Sequence, residues 1–250
     1  MLNRKIYKDF ETAELPANFV NKPLINTPEW LIGAQVPDYI CDSIVAMLNT
    51  FAQDEFYDVG VNGTSDEEYS VLGKGSRRVT NYDIRFANYL NNILSGHIPS
   101  VVKLNEYSPV DWQTDNPDQI NVWAFEGVSP VFRYMEYTKG SEHFPHYDAP
   151  YLCKEDPLTR TLYSGVLYLT TNQSGATGFI LDGQENLPFD KRGLEDWERQ
   201  ATLDEVESWQ LPSKGQMLIF PHQTCHTVFP LLEDEKRIII RFDLFYTAIS

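Results

Sequence analysis

The C-terminal half of the chain is a series of short runs rich in Val, Ile, Tyr, Phe and Thr, and this pattern constrains the fold more than any other feature. The clearest runs lie at residues 131–138, 163–171, 216–220 and 237–246. Turn-like pairs separate such runs, namely Lys139-Gly140, Ser174-Gly175 and Asp182-Gly183. Residues of these types favour strands, and short strands joined by turns predict a sandwich or barrel, not alternating βαβ units.

Two amphipathic helices are predicted before these strands. After Pro37, apolar residues at positions 40, 44, 45, 48 and 51 have helical spacing, with Asp38 as a plausible cap. A second helix is predicted to begin near Thr80, whose spacing to Asp83 resembles a capping box, and to end at Gly96.

We therefore expect a mainly β protein with supporting helices (α+β) and a jelly-roll core, a double-stranded β-helix of the cupin-like kind. Residues 1–120 are predicted to form an N-terminal helical support and residues 121–250 the jelly roll, together one compact domain. An insertion at about 182–214, which holds Pro188, Trp197 and Trp209, is too long for a hairpin turn. It is expected to be either a lid over the site or a helical decoration that covers a sheet edge.

The amino-acid composition limits the classes of binding partner and the cellular compartment that we expect. The net charge of −16 repels a phosphate backbone, so we do not expect a nucleic acid partner. The sequence has no long apolar run, so neither a signal peptide nor a membrane partner is expected. Three scattered cysteines without a CxxC motif suit a reducing compartment, and we expect a cytoplasmic protein.

Metal-ligand spacing is the main chemical signal in the chain. In an extended segment, His146 and Asp148 project from the same face and can reach one ion. With His226 they would form a set of two histidines and one carboxylate, which is typical of non-heme Fe(II) because three coordination positions stay open. His222 is the alternative distal histidine. Either Lys236 or Arg237, ten or eleven residues beyond His226, is suited to pair with a buried dicarboxylate.

Residues 137–148, Tyr-Thr-Lys-Gly-Ser-Glu-His-Phe-Pro-His-Tyr-Asp, closely resemble the metal-binding strand of prolyl 4-hydroxylase-like 2-oxoglutarate oxygenases. Residues 167–177 resemble that family's hairpin, with Gly175-Ala176-Thr177 near the usual Gly-Gly-Glu-Thr, and residues 216–230 resemble its distal-histidine strand. The likeness covers roughly residues 36–246, with the insertion unmatched.

The resemblance implies that His146, Asp148 and His226 bind Fe(II) and act in catalysis with 2-oxoglutarate and O2 as co-substrates. Tyr137 would donate its hydroxyl to the 2-oxoglutarate carboxylate. The implied basic anchor is Arg237, with Lys236 as the rival, and Thr177 is a further candidate contact to the co-substrate. The implied reaction hydroxylates an unactivated C–H bond of a small molecule, amino acid or prolyl peptide and releases succinate and CO2.

Several side chains near these motifs have more than one interpretation. His143 is expected on the other face of its strand, near solvent, and Cys225 is expected to be a small buried residue. Arg133 and Arg241 either line the pocket and bind an acidic group of the substrate or pair with surface carboxylates.

Two rival functions remain open. A jelly-roll module can bind 2-oxoglutarate as a sensor without turnover. The same ligands can instead hold zinc in a hydrolase, although no general base stands near the motif. The sequence determines neither the substrate nor the oligomeric state.

Overall fold

The computed structural model describes residues 32–50, 57–60, 74–104 and 122–249 except for 152, 154–155, 157, 181, 185–186, 188–190 and 194–196. Much of the predicted N-terminal support, together with position 51 and Pro188, lies outside the described residues.

Two helices, one 3-10 turn and thirteen strands make up the described part of the chain. The helices are α1 (Asp38–Leu48) and α2 (Ile84–Leu94), and the 3-10 turn is Leu203–Glu205. The strands are β1 (Ile32–Gln35), β2 (Tyr57–Gly60), β3 (Lys74–Tyr82), β4 (Val101–Lys103), β5 (Val122–Val128), β6 (Val131–Tyr137), β7 (His143–His146), β8 (Thr159–Tyr168), β9 (Thr177–Ile180), β10 (Val206–Gln210), β11 (Gln216–Pro221), β12 (His226–Val228) and β13 (Arg237–Ala248). Each helix has 11 residues, and no described helix is long and apolar enough to cross a membrane.

The described strands form a nine-stranded and a four-stranded sheet. The last eight strands are divided evenly between them, in the order β11-β8-β13-β6 in the large sheet and β10-β9-β12-β7 in the small one. The neighbouring strands in both sets are antiparallel. Two facing sheets in this order are a jelly roll, so the predicted core is confirmed.

The four strand-like runs of the sequence correspond to β6, β8, β11 and β13. The predicted turns also form. Gly140 and Gly175 adopt φ values of 80° and 68°, a left-handed conformation that glycine adopts without steric cost.

The expectation that two helices precede the strands is wrong. Strand β1 comes before α1, and β2 and β3 come before α2. Strand β1 pairs with β11, and β3 pairs with β6, so the N-terminal region extends the jelly-roll sheet on both sides. These additions pair backbone groups that would otherwise lie at a sheet edge.

The helix starts also differ from the sequence prediction. Thr80 belongs to β3, and Asp83 is the N-cap of α2, because its side chain accepts hydrogen bonds from the backbone N–H groups of Arg85 and Phe86 at 3.0 and 2.9 Å. Helix α1 begins at Asp38 itself, after Pro37, and no side chain caps it. Asp38 therefore contributes its negative charge to the first turn, where the helix dipole favours it.

Alternation along β13 separates the core from the cavity. Ile238, Ile240 and Phe242 are buried in the cluster that includes the apolar faces of α1 and α2. Arg237, Ile239 and Arg241 line a cavity on the opposite face of the strand. Each fully buried apolar side chain contributes about 1.5–3 kcal/mol, so the register of β13 is strongly held. This register determines which charged groups enter the barrel.

The described part of the insertion packs onto the small sheet. Strand β10 pairs with β9 at the edge of that sheet. The backbone N–H of Trp197 donates to the carbonyl of Pro145 at 2.8 Å, and its side chain packs against the buried Ile180 and Cys225. Trp209 is 58% exposed. Neither tryptophan is among the described residues that line the cavity, so the described part of this segment covers the sheet from outside.

Candidate metal centre

The three candidate metal-binding side chains converge where the small sheet faces the large one. Strand pairing places His226 of β12 opposite His146 of β7, and Asp148 follows β7 after one intervening residue. One ligand atom from each of the three side chains lies within 4.8 Å of the others. Nε2 of His226 is 3.8 Å from Oδ2 of Asp148. The geometry can hold one metal ion.

Both imidazoles are oriented by backbone carbonyls. Nδ1 of His146 lies 2.7 Å from the carbonyl oxygen of Phe144, and Nδ1 of His226 lies 3.0 Å from that of Thr224. A carbonyl only accepts, so each Nδ1 carries the hydrogen and each Nε2 keeps its lone pair. Burial lowers the pKa of His226, which favours the neutral form that a metal needs.

Asp148 is held as a carboxylate inside the barrel. Burial by itself raises its pKa, but the groups around it together outweigh burial and hold that pKa well below its usual value, with the charge of Arg241 the largest of these influences. Nη2 of Arg241 lies 3.1 Å from Oδ1 of Asp148, and the Ser164 hydroxyl donates to Oδ2. These partners keep an anionic oxygen available beside the two histidines.

A second group of polar side chains lies at the Arg237 end of the cavity. Arg237 is 1% exposed, and its guanidinium stands 4.5 Å from the centre of the Tyr137 ring. Its Nη2 donates to Oγ1 of Thr177 at 3.2 Å. Within the described part of the chain, its Nε and Nη1 are buried without a hydrogen-bond partner. Buried donors of this kind are costly to leave unpaired, and they fit the carboxylate of a ligand that enters the cavity.

Lys236 does not reach this cavity, so the alternative prediction that it pairs with a buried dicarboxylate is wrong. It precedes Arg237 in the strand direction and so projects from the opposite face. Its side chain is 45% exposed, and Nζ lies 3.0 Å from Oε2 of Glu136. Arg237, Tyr137 and Thr177 all line the cavity, as do the three ligand candidates.

His222 is placed away from the ligand set. Its Nδ1 lies 2.9 Å from the hydroxyl oxygen of Ser164, and its Nε2 lies 3.0 Å from that of Thr161. Both ring nitrogens are therefore engaged by hydroxyl groups. Burial lowers the pKa of His222 to about 4, so the ring is neutral near pH 7. Cys225 is 2% exposed and packs in a small apolar cluster, as expected.

The expectation for His143 is wrong. The side chain is 5% exposed, lines the cavity and stacks on His146 with the ring centres 4.1 Å apart. The pairing of β7 with β12 is irregular, because His226 and Val228 lie opposite His146 and His143. One extra residue on β7 forms a bulge. Residues three apart in sequence thereby share a face, which strict alternation does not allow.

Sequence reasoning missed Ser164 and Asp243, which stand opposite each other on β8 and β13. The Asp243 carboxylate accepts from Nη1 of Arg241 and from Nη1 of Arg133, each at 3.1 Å on Oδ2. Alternation along β13 places residues 237, 239, 241 and 243 on one face, and this pattern could have indicated that Asp243 lies beside Arg241. Ser164 offered no signal by itself, because a serine in a strand is common.

The cavity has a volume of about 390 Å³. Among the described residues that line it, four are arginines and one is acidic. These are Arg78, Arg133, Arg237, Arg241 and Asp148. Apolar side chains lie between the charged ones, including Met135, Val166, Val228 and Ile239. Tyr147 lies beside the ligands, and its hydroxyl donates to Asp182 at the start of the insertion.

Comparisons with known proteins give similarity at the level of structure only. No family model matches the chain, and no curated protein matches its sequence. HygX from Streptomyces hygroscopicus, solved with nickel and 2-oxoglutarate bound, has a TM-score of 0.50 at 15% identity over 99% of this chain and 87% of that one. At that identity the likeness shows a shared fold.

Two prolyl hydroxylases are also similar, at TM-scores below 0.5. A viral collagen prolyl hydroxylase from Paramecium bursaria Chlorella virus-1 gives 0.47 at 12% identity, over 89% of this chain and 99% of that one. A prolyl-4-hydroxylase from Pseudomonas putida gives 0.48 at 12% identity, over 86% and 91%.

Proposed function

We propose that this protein is an Fe(II)- and 2-oxoglutarate-dependent oxygenase that hydroxylates a C–H bond of a small molecule, amino acid or prolyl peptide. The observation that carries the proposal is the pairing of two features in one cavity. A set of two histidines and one carboxylate lies beside a buried arginine with unpaired donors among the described residues. The first feature suits non-heme iron, and the second suits the far carboxylate of a dicarboxylate.

The donor set fits the metal. His146 and His226 would supply neutral Nε2 atoms, and Asp148 would supply an anionic oxygen. Three protein ligands on one side leave open positions for co-substrate and dioxygen. The HygX structure contains nickel and 2-oxoglutarate, the pair of ligands that we propose for this cavity, with iron in place of nickel.

The Arg237 end fits the co-substrate. The planar guanidinium is suited to two parallel hydrogen bonds with a carboxylate, and Nε and Nη1 are the buried donors that lack partners among the described residues. Tyr137 and Thr177 would complete the contact as neighbouring hydroxyl groups. Because the site is buried, this pairing would be much stronger than at a surface.

When bound, iron and 2-oxoglutarate supply the oxidising chemistry, in which dioxygen, 2-oxoglutarate and a C–H bond give succinate, carbon dioxide and an alcohol. The chain itself orients the reactants and excludes water. Met135, Val166 and Ile239 provide apolar walls. Arg241 and Ser164 hold the Asp148 carboxylate in place.

The direct test is succinate formation from 2-oxoglutarate in air, with and without added Fe(II), for the wild type and Asp148→Ala. We expect iron-dependent succinate from the wild type and its loss in the variant. Asp234→Ala, which removes an exposed carboxylate, serves as the matched control and should retain activity. Full succinate production by Asp148→Ala would contradict the ligand assignment.

The same assay separates the rival functions. A sensor module would bind 2-oxoglutarate with metal under anaerobic conditions and form no succinate in air with any substrate tested. A zinc hydrolase would be active without dioxygen and would be purified with zinc. Dioxygen dependence and metal analysis of the untreated protein therefore decide between the three.

A further inference from the structure

The His222 ring lies between two hydroxyl groups of β8, at a bulge in that strand. The register of β8 against β13 skips Leu162, which is the extra residue of the bulge. Thr161 and Ser164, on either side of the bulge, thereby both contact the ring. The backbone N–H of His222 donates to the carbonyl oxygen of Leu162 at 3.1 Å. The ring and both hydroxyl-bearing residues are fully buried, so their hydrogen bonds form a fixed group.

The carboxylate at one end of this group determines where each hydrogen lies. Asp148 can only accept, so the single hydroxyl hydrogen of Ser164 is donated to Oδ2 of Asp148. Nδ1 of His222, 2.9 Å from the Ser164 oxygen, must then carry a hydrogen and donate it. Because the ring is neutral near pH 7, Nε2 accepts from the Thr161 hydroxyl at 3.0 Å. The hydrogen bonds therefore run in one direction, from Thr161 through His222 and Ser164 to Asp148.

The neighbouring charged groups are compatible with this direction. Oδ1 of Asp243 is 3.9 Å from Nε2 of His222, which is beyond hydrogen-bond distance. Nη2 of Arg241 donates to the Ser164 oxygen at 3.3 Å, so that oxygen accepts twice and donates once. With the opposite tautomer of His222, Nδ1 would be a second acceptor and would compete with Asp148 for the hydrogen of Ser164.

We propose that His222 is a positioning residue for the metal ligand Asp148 and acts through Ser164. As the Nδ1–H tautomer, it commits the Ser164 hydrogen to Oδ2 of Asp148, the oxygen that lies 3.8 Å from Nε2 of His226. This inference rests on the metal site of the proposed function and adds a residue that supports one ligand. Groups that orient a ligand in this way typically contribute about 10–100-fold to metal affinity.

The first test determines the tautomer in the metal-free protein. Nitrogen NMR spectra of isotopically labelled protein distinguish a ring nitrogen that carries a hydrogen from one that has a lone pair. The His222→Asn variant identifies the signals of His222 by their loss. We expect Nδ1 to carry the hydrogen. An Nε2–H tautomer in the folded wild type would overturn the inference, whatever the variants show.

The second test compares two replacements of His222 by calorimetric titration of Mn(II) alone. His222→Asn keeps an N–H donor near the place of Nδ1, and His222→Leu has none. We expect the leucine variant to bind Mn(II) about 10–100-fold more weakly and the asparagine variant to recover most of that loss. Packing alone predicts the opposite order, because leucine is apolar and closer to imidazole in size.

Thr247→Val is the matched control for the loss of a hydroxyl contact between β8 and β13. The hydroxyl oxygens of Thr159 and Thr247 lie 2.7 Å apart, and breaking this pair should leave Mn(II) affinity unchanged.

The outcomes separate this inference from the proposed function. Wild-type Mn(II) affinity in His222→Leu, or equal losses in the leucine and asparagine variants, would overturn the positioning role. If the expected order appears and the protein forms no succinate, the proposed function fails and the positioning role stands. A wild type that does not bind Mn(II) would overturn the metal site and both conclusions with it.

Discussion

Oδ1 of Asp148 lies 3.1 Å from Nη2 of Arg241, so a candidate metal ligand and a buried guanidinium form an ion pair inside the barrel. Arg241 also pairs with Asp243, 3.1 Å away. Burial by itself lowers the pKa of Arg241, but the two carboxylates outweigh burial and raise it. Arg241 therefore offsets the charge of two buried carboxylates, those of Asp148 and Asp243.

Replacing this arginine should destabilise the protein. In Arg241→Met, two buried carboxylates lose their shared cation, and breaking a buried pair costs about 3–5 kcal/mol. We expect a loss of that size in the free energy of unfolding, measured by urea denaturation. Arg199→Met is the control, because it removes an ion pair with Glu205 at the surface, and solvent-exposed pairs contribute little to stability. Equal effects of the two variants would contradict the buried role of Arg241.

Ser164 should contribute to metal affinity without being a ligand. Its hydroxyl contacts both Asp148 and His222, and groups that hold a ligand in place are typically worth 10–100-fold in metal affinity. Ser164→Ala should therefore weaken Mn(II) binding by about that factor, measured by calorimetry, with little change in the melting temperature. Ser43→Ala, on the exposed side of α1, should leave metal binding unchanged. A wild-type affinity in Ser164→Ala would show that Arg241 alone positions the carboxylate.

Variants of the neighbouring residues Arg237 and Lys236 give a matched test of 2-oxoglutarate binding. Arg237→Gln should weaken 2-oxoglutarate binding by about 10–100-fold, since a hydrogen bond to a charged group is worth about 1.5–3 kcal/mol. Lys236→Gln should change the affinity less than about twofold, because Lys236 contacts Glu136 on the outer face. The measurement is titration of 2-oxoglutarate into the Mn(II)-loaded protein without dioxygen. A larger effect at Lys236 would reverse the assignment.

His222 should make the protein sensitive to acid. Burial lowers its pKa from 6.5 to about 4 in the folded state. Below pH 6.5 the unfolded chain binds a proton that the folded chain does not, so stability falls as the pH drops towards 4 and then levels off. The contribution is roughly 3 kcal/mol. In His222→Gln this component is absent, and the free energy of unfolding should decline less steeply over that range. Parallel curves for the two proteins would show that His222 does not titrate in this way.

The strand-rich core and the candidate ligands could be predicted from the amino-acid sequence. Alternating and β-branched residues predict strands locally, and β6, β8, β11 and β13 lie where such runs occur. The spacing of His146 to Asp148 requires only an extended segment, which the same local pattern supplies. The choice of Arg237 over Lys236 followed from the resemblance of the last strand to that of prolyl 4-hydroxylase-like oxygenases, and alternation places these two neighbours on opposite faces.

Features that depend on pairing between distant strands could not be predicted and appear only in the folded chain. The bulge that turns His143 into the cavity arises only when β7 pairs with β12. Ser164 and Asp243 become neighbours only through the register of β8 with β13. Strands β1 and β3 join the sheet because edges at β11 and β6 are available to pair with them. Such contacts join residues far apart in sequence, and their energy comes from burial and charge pairing that local patterns do not encode.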